Sequence, residues 1–140
     1  MHINGIPACP GCEEKLKQAH PRIARWFREK VKPFHTTAHI SWSFRGRTDQ
    51  EKAVAQGKSE RHWPYSMHNR TAADGSPCAE ALDLFLQNVD GTGSWSSDFF
   101  QMLAVEVVQD GDPIRCGATW KSIGDADHFE LDPRWKTLPG

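Results

Sequence analysis

The sequence lacks the features that mark several large classes of protein. No run of about 18 apolar residues occurs, so no segment is predicted to cross a membrane. The first residues carry no cationic stretch followed by an apolar one, so we expect no secretion signal and synthesis in the cytoplasm. The 17 basic and 18 acidic residues give a formal net charge of −1, which gives no general attraction to nucleic acid or acidic membranes. A partner must therefore be recognised through a local site.

Cysteine is also scarce, and there is no internal repeat. Four cysteines in a chain without a secretion signal are expected to stay reduced. Cys9 and Cys12 enclose a tight turn that could be half of a zinc knuckle or a redox pair, but the other half is missing, and a capped turn before a helix is the favoured interpretation. Cys78 and Cys116 are expected to be small buried residues.

The material for one hydrophobic core is present. The chain has 140 residues, of which 38% are hydrophobic, with six Trp and seven Phe, and this predicts one globular domain over 1–140, with an N-terminal helical segment over 1–37 and a core over 38–131. The predicted helices are 13–31, interrupted at His20-Pro21, 48–56 and 97–110, and the predicted strands are 39–44, 80–86, 114–120 and 128–131. Helices between strands joined by short loops predict an α+β domain whose small antiparallel sheet carries the site.

Three details of these elements are specific enough to test. Thr48 is expected to cap its helix, and alternation places Ile40, Trp42 and Phe44 on one face of the first strand. The helix over 97–110 is expected to direct an apolar stripe into the core, formed by Phe99, Phe100, Met102, Leu103, Val107 and Val108.

Two histidines and an aspartate stand out as a possible metal site. Asp83 lies in an apolar run, where a carboxylate is costly to bury unless a metal, a basic side chain or hydrogen-bond donors meet it. His68 lies in a polar loop, and His128 begins an alternating segment. Together they form the open three-ligand set of a catalytic zinc, and we predict that they hold one Zn2+ ion.

A carboxylate near the metal would serve as general base. Asp125, three residues before His128, is the predicted base. Asp127 and Glu130 are rivals; in an extended strand Asp127 points away from His128, whereas Glu130 shares its face and could instead support it as a hydrogen-bond partner. His39 is interpreted as structural.

Arg45 follows the first strand, beside the expected cleft. A guanidinium there suits a carboxylate-bearing ligand, because it donates paired hydrogen bonds. A surface salt bridge is the other interpretation of Arg45, and both stay open.

Several short motifs together resemble one family. They are Arg45-x4-Gln50, Gly57-x-Ser59, Ser66-x-His68-Asn69, Ala81-Leu82-Asp83-Leu84, Ile114-Arg115-x-Gly117-x2-Trp120 and Asp125-x2-His128-Phe129-Glu130. In this order they resemble the D-alanyl-D-alanine carboxypeptidase family of zinc metallopeptidases, and within it the phage L-alanyl-D-glutamate peptidase endolysins.

The resemblance implies a role for each site residue. His68, Asp83 and His128 would bind zinc, Asp125 would be the catalytic acid/base, and Arg45 and Ser66 would border the substrate cleft. The implied activity is hydrolysis of a peptidoglycan stem-peptide amide by a monomeric, bacteriolytic enzyme, made in the host cytoplasm and released to the cell wall. One departure is the spacing, since fourteen residues lie between His68 and Asp83 where six are usual in the family; Asp74 comes nearer in count, but its Asp-Gly-Ser-Pro context indicates an inserted turn.

Three other functions compete with the endolysin. The nearest is a D-alanyl-D-alanine carboxypeptidase or dipeptidase. A zinc-containing nuclease is suggested by the Cys-x-x-Cys turn and by His68-Asn69, although a basic surface is missing. A non-catalytic wall binder would keep the metal and lose the base, and the presence of Asp125 argues against it.

Overall fold

The fold is organised on a five-stranded sheet, seen in a computed structural model that describes residues 10–59, 61–87, 93–94, 97–117 and 127–132. The strands are β1 (Ala38–Trp42), β2 (Ala81–Gln87), β3 (Gly93–Ser94), β4 (Ile114–Cys116) and β5 (His128–Leu131). Their order is β1-β2-β5-β4, with β3 paired to the end of β2, and all pairings are antiparallel. This is the predicted α+β class.

Four helices and two short helical turns complete the described chain. The helices are α1 (Pro10–Leu16), α2 (Pro21–Trp26), α3 (Arg47–Ala55) and α4 (Ser97–Asp110); a π-helical turn over Phe27–Val31 continues α2, and a 3-10 turn spans Met67–Asn69. The predicted break before Pro21 is confirmed, because proline suits the first turn of a helix and the Nδ1 atom of His20 accepts a hydrogen bond from the Arg22 N–H at 3.0 Å. No helix of the described ranges is long and apolar enough to span a membrane.

The sheet separates an apolar face from a polar one. Side chains alternate along a strand, so Phe129 and Leu131 of β5 share one face with the core, while His128 and Glu130 share the other. On the core face, the Phe129 ring contacts Trp26 of α2 and Phe100 of α4, at centroid distances of 5.4 and 6.2 Å. Helices α1, α2 and α4 thus contribute to the core on the apolar face, and the ionisable side chains collect on the opposite face.

The register places two of the predicted ligands side by side. Asp83 of β2 is paired directly with His128 of β5. Directly paired residues on neighbouring antiparallel strands lie on the same face, with Cβ atoms about 4.5–5.5 Å apart. The two side chains are thereby neighbours, although they are far apart in the chain.

The apolar stripe of α4 differs from the prediction. Phe100, Leu103, Ala104 and Val107 are buried, the i, i+3, i+4, i+7 pattern of a single helical face. Met102 and Val108 lie off that face and are 45% and 76% exposed, so their predicted place in the core is wrong.

The predictions for β1 and α3 also need correction. A register irregularity between Ile40 and Trp42 breaks the alternation, so Ile40 is buried whereas Trp42 is 39% exposed, and the strand ends before Phe44. The helix α3 begins at Arg47 with Gly46 as its N-cap and no side-chain cap, so Thr48 is not the capping residue. In β4 the strand ends at Cys116, and residues 118–120 of the prediction lie outside the described chain.

The burial prediction holds for one of the two cysteines to which it applied. Cys116 is buried as expected, as is Cys12, whereas Cys78 is only half-buried; none of the three forms a disulfide with another described residue. The Cys12 Sγ atom accepts the Ile40 N–H at 3.4 Å, which ties α1 to β1. Cys9 lies outside the described residues, so the role of the Cys9–Cys12 turn stays a prediction.

Candidate metal centre

Three elements bring His68, Asp83 and His128 together on the polar face of the sheet. His68 lies in the 3-10 turn, Asp83 in β2 and His128 at the start of β5. Each is buried, and one potential ligand atom from each lies within 4.8 Å of the others. The group could therefore hold a metal ion.

The turn that carries His68 is fixed by its own capping. The Ser66 Oγ atom accepts the His68 N–H at 3.2 Å, and the Asn69 Oδ1 atom accepts the Ser66 N–H at 3.1 Å, which is a reciprocal capping arrangement. The Arg45 N–H donates to the His68 carbonyl at 2.8 Å. These bonds set the position of the His68 backbone before any ion binds.

A second bond sets the orientation of the His68 ring. The Nδ1 atom lies 2.7 Å from the carbonyl oxygen of Ser43, which can only accept, so Nδ1 carries the hydrogen. In the neutral ring the Nε2 atom then bears a lone pair; it is buried, and no described residue forms a hydrogen bond with it. It lies 3.2 Å from the Asp83 Oδ1 atom. An unpartnered nitrogen lone pair in a buried site suits a metal ligand.

The carboxylate of Asp83 divides its two oxygens between different partners. Its Oδ1 atom lies 2.9 Å from the His128 Nδ1 atom and also faces His68, while its Oδ2 atom accepts from the Arg45 Nη2 atom at 3.2 Å. Burial alone would raise the pKa of Asp83, but the positive charge of the neighbouring His68 and His128 imidazoles, when these are protonated in the metal-free protein, outweighs burial and holds the pKa well below its usual range. The side chain is therefore an ionised carboxylate with one oxygen directed at the two histidines.

The imidazole of His128 lies between two carboxylates. Its Nδ1 atom faces Asp83, and its Nε2 atom lies 2.8 Å from the Glu130 Oε1 atom. The second oxygen of Glu130 is paired with the guanidinium of Arg115. Burial would raise the pKa of Glu130, but the hydrogen bond to His128 and the pairing with Arg115 lower the pKa below its usual value.

The donor set and its spacing fit a metal ion. The converging atoms are Nε2 of His68, Oδ1 of Asp83 and Nδ1 of His128. Ligands at about 2.0–2.2 Å from a tetrahedral ion lie roughly 3.3 Å from one another. The observed separations of 3.2 and 2.9 Å from Asp83 Oδ1 are slightly shorter, so a small outward movement of the side chains would admit an ion.

A buried amide, Gln50 of α3, organises the surroundings of Arg45. Its Oε1 atom accepts from the Arg45 Nη1 atom at 3.3 Å and from the Asn69 Nδ2 atom at 3.1 Å, and its Nε2 atom donates to the Arg61 carbonyl at 2.6 Å. The side chain is fully buried. Residue patterns do not predict a role for Gln50, because it lies in a largely polar helix, where a single sequence does not show which polar residue is buried. Only the Arg45-x4-Gln50 motif of the family resemblance includes it.

The remaining candidate residues occupy distinct positions. Arg45 is 5% exposed, with its guanidinium carbon 5.0 Å from the centroid of the Trp42 ring. Asp74 is exposed and accepts hydrogen bonds from the backbone and hydroxyl of Ser76, so Asp83, not Asp74, lies with the histidines. Asp125 lies outside the described residues.

His39 and the loop around Asp74 are separate from this cluster. His39 is buried, with its ring stacked on Phe85 at 5.5 Å, in keeping with a structural role. The loop over residues 70–78 is closed by a bridge between Thr71 and Pro77 and by the bond from the Cys78 N–H to the Arg70 carbonyl at 2.9 Å.

Comparison with known proteins identifies a structural relative. No protein-family model matches the chain, and no curated protein matches its sequence. Among solved structures, the fold is similar to that of the Serratia marcescens L-Ala D-Glu endopeptidase ChiX, with a TM-score of 0.67 and 25% sequence identity. The similarity covers 88% of this chain and 87% of that one. The protein therefore has the fold of a peptidase and carries a group of buried side chains that could hold a metal ion.

Proposed function

We propose that this protein is a zinc-dependent peptidoglycan peptidase that hydrolyses a stem-peptide amide bond, between L-alanine and D-glutamate. The observation that carries the proposal is the convergence of two imidazole nitrogens and one carboxylate oxygen on the polar face of a fold similar to that of an L-Ala D-Glu endopeptidase. The resemblance of its motifs to those of phage endolysins is the basis for the further proposal that its biological role is that of a bacteriolytic phage endolysin. The enzyme would act as a monomer on the cell wall.

Zinc is the proposed ion because of the donor set. Two histidines and one carboxylate form the three-ligand arrangement that catalytic zinc sites use, with one coordination position left for substrate or solvent. When bound, zinc supplies Lewis-acid polarisation of a carbonyl group and lowers the pKa of water from 15.7 toward about 7. His68, Asp83 and His128 are the residues proposed to hold it.

The proton transfers are assigned to Asp125, three residues before His128 in the chain. A carboxylate in this role accepts a proton from the attacking water and returns it to the leaving amine. Because proton transfer contributes typically 10²–10⁴-fold to rate, an Asp125→Asn variant should keep its metal and lose most of its activity.

Arg45 and Ser66 are proposed to border the substrate. Arg45 already donates to Asp83 and Gln50, but no described residue forms a hydrogen bond with its buried Nε atom. An unpartnered buried donor is costly, so a movement of the Arg45 side chain that brought this atom to a substrate carbonyl or carboxylate oxygen would be favoured. Ser66 caps the turn of His68 and is therefore next to a ligand.

The charges of the site suit an acidic substrate. Asp83 is paired with Arg45 and Glu130 with Arg115, so the two carboxylates are each matched by a guanidinium. A bound divalent cation would leave this face with a net positive charge. Stem peptides carry free carboxylates, which such a site attracts.

Metal analysis and product analysis test the proposal together. We expect the purified protein to bind one zinc ion, to lower the turbidity of a peptidoglycan suspension, and to lose this activity with a chelator. Asp83→Ala should remove both zinc and activity, whereas the control Asp74→Ala, which changes an exposed aspartate between the same two histidines, should retain both.

The products distinguish the bond that is cleaved. Hydrolysis of purified muropeptides should leave L-alanine attached to the sugar. Release of terminal D-alanine would instead establish a D-alanyl-D-alanine carboxypeptidase. Retention of zinc by Asp83→Ala together with its loss from Asp74→Ala would contradict the ligand assignment.

A further inference from the structure

An ion pair on the polar face of the sheet extends from the proposed ligand His128 toward solvent. Glu130 accepts from the His128 Nε2 atom with one oxygen and pairs with Arg115 through the other. We propose that Glu130 and Arg115 are positioning residues that fix the ring and tautomer of His128, so that its Nδ1 atom is presented to the metal. The inference rests on the proposed metal site and adds two residues to it.

The sheet register produces this alignment. Arg115 of β4 is the direct cross-strand partner of Glu130 in β5. Because side chains alternate, Glu130 points to the same face as His128, two residues earlier in the same strand. The three side chains therefore form a row across the polar face that is set by backbone pairing, not by flexible loops.

The row determines which nitrogen of His128 carries a hydrogen. Glu130 is paired with the Arg115 guanidinium, and a carboxylate in such an ion pair only accepts hydrogen bonds. The Nε2 atom at 2.8 Å must therefore be the donor, which directs Nδ1 toward the Asp83 Oδ1 atom at 2.9 Å. A partner that holds the second nitrogen of a ligating histidine in this way orients the ring and raises its basicity toward the metal.

Arg115 makes the burial of Glu130 tolerable. The Glu130 side chain is only 7% exposed, and a buried carboxylate without a cationic partner is costly. The Arg115 side chain is 44% exposed, so the structure does not require it to fill the core. Its contribution is the charge and the hydrogen bond that it gives to Glu130.

Two substitutions separate this role from a general role in folding. Glu130→Gln keeps the shape of the side chain but removes its charge and replaces one acceptor oxygen with a donor NH2 group, so it cannot accept from His128 through one oxygen and from Arg115 through the other. Arg115→Met keeps a long side chain and removes the charge. Arg28→Met is the matched control, because Arg28 is also 44% exposed and is paired at 2.9 Å with Glu13, another glutamate of the chain.

The measurement is the zinc dissociation constant from competition with a coloured chelator, together with the visible spectrum of the cobalt-substituted protein. We expect the constant to rise about 10–100-fold for Glu130→Gln and by a smaller factor for Arg115→Met, because loss of such partners typically costs that much metal affinity. Both variants should alter the cobalt spectrum. Arg28→Met should match the wild type, and Arg115→Lys should restore most of the affinity lost in Arg115→Met.

The outcomes also separate this inference from the proposed function. If the wild type binds zinc and hydrolyses peptidoglycan while Glu130→Gln and Arg115→Met bind zinc as tightly as the wild type, the positioning role is refuted and the proposed function stands. A wild type that binds no zinc refutes both. Thermal unfolding of the metal-free proteins verifies folding, and if Glu130→Gln does not fold, the affinity of Arg115→Met alone decides.

Discussion

The pairing of Arg45 with Asp83 should be visible in the stability of the metal-free protein. The Arg45 Nη2 and Asp83 Oδ2 atoms are 3.2 Å apart, and the two side chains are 6% and 12% exposed. At this distance, with an effective dielectric constant of about 20, two unit charges attract by roughly 5 kcal/mol before the cost of removing them from water. Removal of one partner from a buried pair is strongly destabilising, because the other charge is left without compensation.

A double-mutant cycle measures this interaction. Asp83→Asn leaves the buried guanidinium without the negative charge that it is paired with, so we expect a loss of about 3–5 kcal/mol in the free energy of unfolding. Arg45→Met should cost less, because Asp83 keeps its contacts with His68 and His128. The loss in the double variant should be smaller than the sum of the two single losses by about 2–3 kcal/mol.

The assay is urea unfolding at neutral pH in the presence of a chelator, so that metal binding does not contribute. The control cycle uses Lys17 and Glu14, an exposed pair 3.0 Å apart, which should be close to additive. If the Arg45 and Asp83 substitutions are additive to within about 0.5 kcal/mol, the two side chains are not energetically coupled, and the account of Arg45 as the partner of a ligand is refuted.

Two further predictions concern the core and a buried thiol. Phe129→Ala should lower the free energy of unfolding by about 3–5 kcal/mol in a denaturant titration, because the ring is fully buried between Trp26 and Phe100; a loss below 1 kcal/mol would contradict the packing. Burial raises the pKa of Cys116 to about 12, so its reactive thiolate is scarce at pH 8 and increases about tenfold for each unit by which the pH rises toward that pKa. Alkylation followed by peptide mass mapping should therefore show Cys116 protected at pH 8 in the native protein and modified in urea, and rapid native labelling would refute this.

The sequence contained most of the information needed to find the secondary structure. Pro21 interrupts the N-terminal helices, and the helix over Ser97–Asp110 and the strand over His128–Leu131 have the predicted bounds, because apolar periodicity and breaking residues are local signals. The irregularity at Trp42 was not predictable in this way. It depends on how β1 pairs with β2, which alternation within one strand does not reveal.

The candidate site could also be predicted from a local feature of the sequence. Burial of an acidic residue within an apolar strand is costly, and this made Asp83 a candidate ligand from the sequence. The structure brings it together with His68 and His128. That these residues bind zinc stays a prediction, as does the role of Asp125.

The supporting contacts were harder to predict. Glu130 was recognised as a possible partner of His128, but the pairing of Arg115 with Glu130 follows from the register of two strands that are separated in the sequence. The burial of Gln50 depends on the packing of α3 against the loop that carries Asn69.

The loop over residues 70–78 shows what fixes the distance between the proposed ligands. Asp83 is positioned by hydrogen bonding between β2 and β5, and His68 by its capped turn and its bond to Ser43. The chain between them closes on itself through Thr71 and Pro77, so the residues inside this bridge do not set the geometry of the cluster. Insertions and deletions are therefore tolerable at this point, and a search for distant relatives should leave the number of residues between the first histidine and the aspartate unrestricted.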